Sequence, residues 1–156
     1  MSIRITGLNE ALKNIEKKGD DAVRGVKKIL ANEATDIELN AKINAKKTFG
    51  GEQLSYYQRI NKVVDPGSKG LSWNVGLETE NKDFEIEAWL EFGTGLSAKQ
   101  LLSGSEYDED IRKLALTFFR DGRGTIPASP YLFPAFFKVR SRIVDKIKKE
   151  IEKNLR

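Results

Sequence analysis

The sequence predicts an α+β fold in which a small antiparallel β-sheet, arranged as a meander, packs against a long N-terminal helix and a long C-terminal helix. Two helical periodicities, over residues 20–47 and 130–156, and three short alternating segments between them support this prediction. The chain has 156 residues, the length of one ordinary domain, so we expect residues 1–156 to form a single domain.

Both long helices are predicted from apolar residues that recur at steps of three and four. Asp20 and Asp21 suit the start of the first helix, because acidic side chains stabilise a helix N-terminus. The second helix begins near Pro130 or Tyr131, and Pro134 is tolerated there because it falls in the first turn. The apolar face of the first helix consists of Val23, Val26, Leu30, Ala34, Ile37, Ala41 and Ala45.

Three short segments between the helices are predicted to be strands. Residues 60–64 and 71–77 flank a turn at Asp65-Pro66-Gly67, and residues 84–92 alternate apolar with polar side chains. Alternation of this kind buries one face of a strand and leaves the other face in water. The solvated face of the third strand is predicted to carry Glu85, Glu87, Trp89 and Glu91.

Two shorter helices are predicted, over residues 7–18 and 107–120. Ser105 resembles the N-cap of the second one, because Asp108 follows it at the distance of a capping box. Glycines interrupt the periodicity in residues 48–59 and 96–106, so both segments are predicted to be loops that order on assembly.

Two residue types are missing, since the chain contains no cysteine and no histidine. Without cysteine there is no disulfide, thiolate zinc site or cysteine nucleophile, and without histidine the commonest general base near neutral pH is lost. We therefore expect a protein that is not an enzyme and that has no cofactor and no metal. The sequence shows neither a secretory signal nor an apolar segment of membrane-spanning length, so we expect a soluble chain that is synthesised in the cytoplasm.

The net charge of +4 is unevenly distributed along the chain. Residues 79–129 are rich in aspartate and glutamate, whereas residues 130–156 are rich in lysine and arginine. This asymmetry suits charge-complementary contacts between copies of the chain or with partner proteins.

Two short motifs carry a resemblance to a known family. The first is Glu-Phe-Gly-Thr-Gly at the end of the third predicted strand, and the second is Pro-Tyr-Leu-Phe-Pro-Ala at the start of the last helix. In this order and spacing they resemble the tail-component family of long-tailed bacteriophages, which includes tail-completion and neck proteins and the related minor tail protein Z. The family pattern makes scaffold positions of Glu91, Phe92, Gly93, Thr94, Gly95, Pro130, Leu132, Pro134 and Ala135.

The resemblance implies a structural virion protein of the neck or tail that joins or completes the tail at the head–tail interface, in a phage made in the cytoplasm of its bacterial host. The expected partners are copies of the chain, in a ring, and the neighbouring neck and tail proteins, such as the head-closure connector, the tail terminator or the tail tube. Contact with DNA is expected to be at most non-specific. The residues themselves suggest a candidate interface at Phe49, Tyr56, Tyr57, Arg59, Trp89, Leu101 and Leu102.

Two other functions stay open. Tyr56, Tyr57 and Arg59 follow Lys46 and Lys47, and aromatic residues beside basic ones are typical of a small basic nucleic-acid-binding module. The glutamates of residues 84–92 could alternatively act as the paired carboxylates of a glycosidase, although a solvated row of glutamates is far commoner.

Overall fold

Over the described residues the sheet has three strands, and the last of them in the sequence lies at its centre. The structure, a computed structural model, describes residues 2–5, 19–78, 84–95, 107–116, 124 and 126–154. Its strands are β1 (Ser2–Ile5), β2 (Ile60–Val64) and β3 (Trp73–Leu77), in the order β1-β3-β2. Its α-helices are α1 (Asp20–Thr48), α2 (Phe84–Phe92), α3 (Glu109–Leu116) and α4 (Leu132–Asn154), and Gly51–Arg59 is a 3-10 helix.

An antiparallel sheet with two long helices confirms the predicted fold class, but the strand order is not that of a meander. β2 and β3 form the predicted hairpin, in which Val63 lies opposite Asn74. The other edge of β3 is occupied by β1, where Arg4 also lies opposite Asn74. β1 was not predicted, because its Ile-Arg-Ile alternation is too short to indicate a strand.

Residues 84–92 form α2 instead of the predicted strand. Glu87 and Glu91 are four residues apart and both are buried, as are Ala88, Leu90 and Phe92. Members of both alternating sets are therefore buried, which corrects the prediction that Glu87 and Glu91 lie on a solvated face. Glutamate, alanine and leucine favour helices over strands, and in this segment their preference outweighs the alternation.

The two long helices form where the sequence predicts them and pack along each other more extensively than any other pair of elements. Ala34, Ala41 and Ala45 lie on the buried face of α1, and their small side chains allow close approach of the neighbouring elements. α4 begins at Leu132, so Pro134 falls in its first turn and removes no hydrogen bond from the helix. None of the helices within the described ranges is both long enough and apolar enough to cross a membrane.

The start of α3 differs from the prediction. Asp108 caps the helix, because its Oδ1 accepts a hydrogen bond of 3.0 Å from the backbone N–H of Ile111, and the predicted N-cap Ser105 lies outside the described residues. The helix then follows over 109–116. The predicted helix 7–18, the loop 96–106 with Leu101 and Leu102, and residues 117–120 lie outside the described residues.

Aromatic rings connect the last three helices. Phe92 of α2 contacts Phe133 of α4 with ring centroids 5.6 Å apart, and Tyr107, just before α3, contacts Phe133 at 5.9 Å. Phe137 packs one turn further along α4, 6.0 Å from Phe133. This cluster holds the C-terminal end of α2 against the beginning of α4.

Candidate assembly site

A buried carboxylate joins the two sequence motifs. Glu91, at the end of α2, accepts hydrogen bonds from the backbone N–H groups of Tyr131 and Leu132 at 2.9 Å and of Phe133 at 3.0 Å. The first N–H groups of a helix have no partner within the helix. Glu91 therefore caps α4 with a side chain that lies 40 residues earlier in the sequence.

The electrostatics of this cap combine two opposing effects. Burial disfavours the charged form and raises the pKa of Glu91 to about 7, while the hydrogen bonds from the three backbone N–H groups act to lower it. The positive end of the helix dipole also favours a negative charge at this position. Burial, together with the nearby Glu91, raises the pKa of the Tyr131 hydroxyl.

Gly93 lets the chain leave α2 in a direction that other residues resist. Its φ is +69°, and a Cβ at this position would lie 2.6 Å from the backbone N of Ala128 and 2.8 Å from the carbonyl oxygen of Ile126. The segment before α4 thus passes directly against the Gly93 backbone. Both the left-handed conformation and the close approach require glycine.

Thr94 binds the same segment through two hydrogen bonds to Ile126. Its N–H donates to the carbonyl oxygen of Ile126 at 2.9 Å, and its Oγ1 accepts from the N–H of Ile126 at 3.0 Å. Ser129 adds a third bond, from its N–H to the carbonyl oxygen of Leu90 at 2.8 Å. These contacts align residues 126–129 with the end of α2, so that Glu91 reaches the first turn of α4.

We call this arrangement the motif junction: Glu91, Gly93 and Thr94 with residues 126–133. Leu132 and Ala135 are buried in the core, Gly95 is buried with φ +60°, and Pro130 and Pro134 are half-buried. Phe92 is fully buried. The structure therefore brings the first motif against the second through Glu91 and Phe92, which contact the start of α4, whereas the sequence alone shows two separate stretches.

The candidate interface residues are not brought together in the same way. Phe49 is buried, with its ring 5.3 Å from that of Tyr131, so it lies in the core and offers no surface to a partner. This corrects its assignment to an interface. Trp89 is half-buried on α2 and packs against the core.

The aromatic and basic patch, which begins in the last turn of α1, is only partly exposed. Tyr56 and Tyr57 are half-buried and pack against the core, while Lys46 and Lys47 are exposed. Arg59 donates to the carbonyl oxygen of Glu78 at 2.9 Å, and its guanidinium carbon lies 5.6 Å from the centre of the Tyr56 ring. The tyrosine rings thus support the fold, and only part of each ring is open to a nucleic acid.

A second polar cluster, between the two long helices, was missed by the sequence analysis. Glu33 is only 1% exposed, and its two oxygens accept from Arg142 at 2.8 Å and from Lys146 at 2.5 Å. Arg142 also binds Asp36 at 2.5 Å. Burial acts to raise the pKa of Glu33, but the hydrogen bonds from Lys146 and Arg142 outweigh it and hold the pKa below its ordinary value. The sequence signal that could have indicated this cluster is the position of Glu33 on the apolar face of α1, between Leu30 and Ile37.

Over the residues that the structure describes, no group of acidic side chains is arranged to hold a metal ion. The sequence matches no protein-family model, and neither the curated proteins nor the solved structures contain a significant match to it.

Proposed function

We propose that this chain is a structural protein of a long-tailed bacteriophage that joins or completes the tail at the head–tail interface of the virion. It acts through ring-forming contacts between copies and with neighbouring neck and tail proteins, and it performs no catalysis. The observation that supports this proposal is the motif junction, in which Glu91 of the first motif caps the helix that the second motif begins.

The junction gives the two resembling motifs one physical explanation. Three of the matching positions have a defined role there: the Glu91 carboxylate caps α4, Gly93 permits the close approach of residues 126–128, and Thr94 binds Ile126 through hydrogen bonds. Motifs that depend on each other in this way are expected to occur together and in this order. The resemblance therefore rests on a pair of interlocked segments, which is more specific than two unrelated short matches.

Charge offers a means of assembly. Asp108, Glu109 and Asp110 are exposed at the start of α3, and lysines at 148, 149 and 153 are exposed on the outer side of α4. Exposed groups of opposite charge favour head-to-tail contacts, in which one surface of a copy meets a different surface of the next. Contacts of this type close into a ring when the rotation between copies permits.

Immunogold labelling of intact particles tests the proposal. An antibody against this chain should label the head–tail junction of the source phage, and antibody pre-absorbed with the purified chain should give no label. Particles from a phage in which the gene carries an early stop codon should accumulate as separate heads and tails. Finished particles that carry no label, or normal assembly without the gene, would contradict a role in the virion.

A further inference from the structure

The sheet has two outer edges, and within the described ranges neither is paired with another strand. In an antiparallel ladder, the peptide groups of alternate residues point toward the neighbouring strand, and those between them point away. An outer strand therefore offers a row of backbone N–H and C=O groups to a further strand. Which residues supply that row follows from the register.

The outward row of β2 consists of Ile60, Lys62 and Val64. The N–H of Glu78 donates to the carbonyl oxygen of Arg59 at 2.8 Å, which makes Arg59 the first of the residues bonded to β3. Every second residue after it shares that role, so the residues between them point outward. The N–H of Lys62 accordingly bonds the side-chain oxygen of the adjacent Asn61, at 2.8 Å, and not β3.

The outward row of β1 follows from the same ladder. Asn74 of β3 directs its peptide groups toward Val63 of β2, so the next residue, Val75, directs its groups toward Ile3 of β1. The peptide groups of Ser2 and Arg4 consequently point away from β3. Within the described residues, the sheet thus ends on both sides in strands whose outward peptide groups are not bonded to a further strand.

Exposed apolar side chains lie beside the edge of β2. Val63 is 52% exposed and Val64 is 36% exposed, and Leu39 of α1 is 52% exposed. Leu39 lies one turn from Thr35, whose hydroxyl accepts a hydrogen bond from the ammonium group of Lys62. An edge strand bordered by exposed apolar residues favours pairing with another chain.

We infer that the outer edge of β2 pairs with β1 of a second copy, so that one sheet continues from copy to copy. This inference rests on the proposed function, because it names the contact that would build the ring. β1 and β2 are both antiparallel to β3 and hence parallel to each other. Successive copies in a ring keep the same strand direction, so β1 of the next copy arrives parallel to β2.

The charge of Lys62 favours β1 of a second copy, and not a second β2 strand, as the partner of the β2 edge. Two β2 strands related by a twofold axis, in the register that pairs all five residues, would place Lys62 opposite its own copy. Like charges directly opposite each other destabilise a strand pair. Pairing of β2 with β1 avoids this repulsion and makes the contact head-to-tail.

Proline at an outward position of either edge tests the contact. Lys62→Pro removes an outward N–H from β2 and spares the ladder to β3, and Arg4→Pro does the same for β1. We expect the wild-type chain to form oligomers whose mass rises with concentration in sedimentation equilibrium. Each variant should associate about tenfold more weakly or not at all, since even one lost hydrogen bond and a clash at the strand edge suffice for that change.

A mixture of the two variants separates head-to-tail pairing from other modes. Lys62→Pro retains an intact β1 edge and Arg4→Pro retains an intact β2 edge, so the mixture should form one-to-one dimers that neither variant forms alone. A wild-type chain that stays monomeric at the highest attainable concentration, or a mixture that stays monomeric, would overturn the inference. Circular dichroism serves as the control that both variants are folded.

Asn61→Ala provides a further test if a proline variant does not fold. It removes the side chain that occupies the Lys62 N–H and leaves the backbone ladder intact, so association should strengthen several-fold. Unchanged or weaker association would count against pairing at this edge. Immunogold label at the neck together with a monomeric chain would support the proposed function and contradict this inference. Oligomers formed through the strand edges, without label in the particle, would support this inference and contradict the proposed function.

Discussion

At the scale of single residues, Gly93 shows how one backbone position determines a long-range contact. The segment 126–128 can pass the end of α2 only because no side chain stands in its path. Gly51 is a matched comparison, because its φ of +56° is similar but no atom lies within 4 Å of the position that a Cβ would take.

We expect Gly93→Ala to lower the free energy of unfolding by about 3 kcal/mol or more, because backbone strain adds to a clash with backbone atoms. Gly51→Ala should cost about 1 kcal/mol, from the left-handed conformation alone. Urea unfolding of both variants measures the difference. Equal losses would show that the segment before α4 does not press against Gly93.

Glu91 gives the stability a pH dependence with a definite sign. Its pKa is about 7 in the folded chain, against an ordinary value of 4.5 when exposed. Between these values the folded state holds a proton that the unfolded state has lost. The stabilising contribution is therefore complete below about pH 4.5 and is lost as the pH rises through about 7, at up to about 1.4 kcal/mol per pH unit.

Comparison with Glu91→Gln isolates this effect, since glutamine does not titrate. The free energy of unfolding of the wild type should decrease relative to that of the variant as the pH rises from about 5 to about 7. Urea unfolding at several pH values within that range provides the measurement. A difference between the two proteins that is independent of pH would contradict a raised pKa of Glu91.

At the scale of elements, the polar cluster between α1 and α4 fixes how the two long helices face each other. Glu33 is buried with two cations from α4, and those cations are themselves about half exposed. We expect Glu33→Gln to destabilise the fold by about 1–3 kcal/mol, below the cost of breaking a fully buried pair, because solvent screens both partners.

The control for this prediction is Glu109→Gln in α3. Glu109 pairs with Lys113 at 3.1 Å on the surface, where both side chains are well exposed, so its loss should change stability by less than about 0.5 kcal/mol. Thermal unfolding of both variants gives the comparison. A loss for Glu33→Gln that is no larger than that of the control would mean that the cluster does not hold the helices together.

Comparison of the predicted with the observed elements shows which sequence patterns are sufficient to predict a helix or a strand. α1, α4, β2 and β3 were predicted because each pattern is long or is bounded by a strong turn. Residues 84–92 were wrongly predicted to be a strand, because apolar and polar side chains alternate along them. In the helix that they form, Glu87, Ala88 and Glu91 are all buried. Glu33 was overlooked because a charge on an apolar stripe becomes intelligible only when its partners on α4 are known.

At the scale of the whole molecule, the positions of the two motifs were predicted but their contact was not. Glu91 and Leu132 are 41 residues apart, and no local periodicity relates a side chain to backbone groups at such a distance. The resemblance marked both residues as scaffold without indicating that one caps the other. Tertiary geometry supplies that information.

The whole-molecule charge also allows a test of the alternative function. We expect a flat titration of the chain with duplex DNA at moderate ionic strength, because the tyrosines of the basic patch are packed and Arg59 is bound to Glu78. Lys46→Ala with Lys47→Ala should leave the titration unchanged. Strong binding that weakens steeply with salt, and that this double variant loses, would favour a nucleic-acid-binding module instead.

The motif junction has a consequence for synthesis on the ribosome. The carboxylate of Glu91 leaves the exit tunnel 40 residues before the first of its N–H partners. During that interval it stays hydrated and the chain around it gains nothing from burying it, since an uncapped buried carboxylate is costly. A polypeptide released before α4 therefore lacks the backbone groups that bind Glu91 and the helix that packs along α1, so its core stays incomplete.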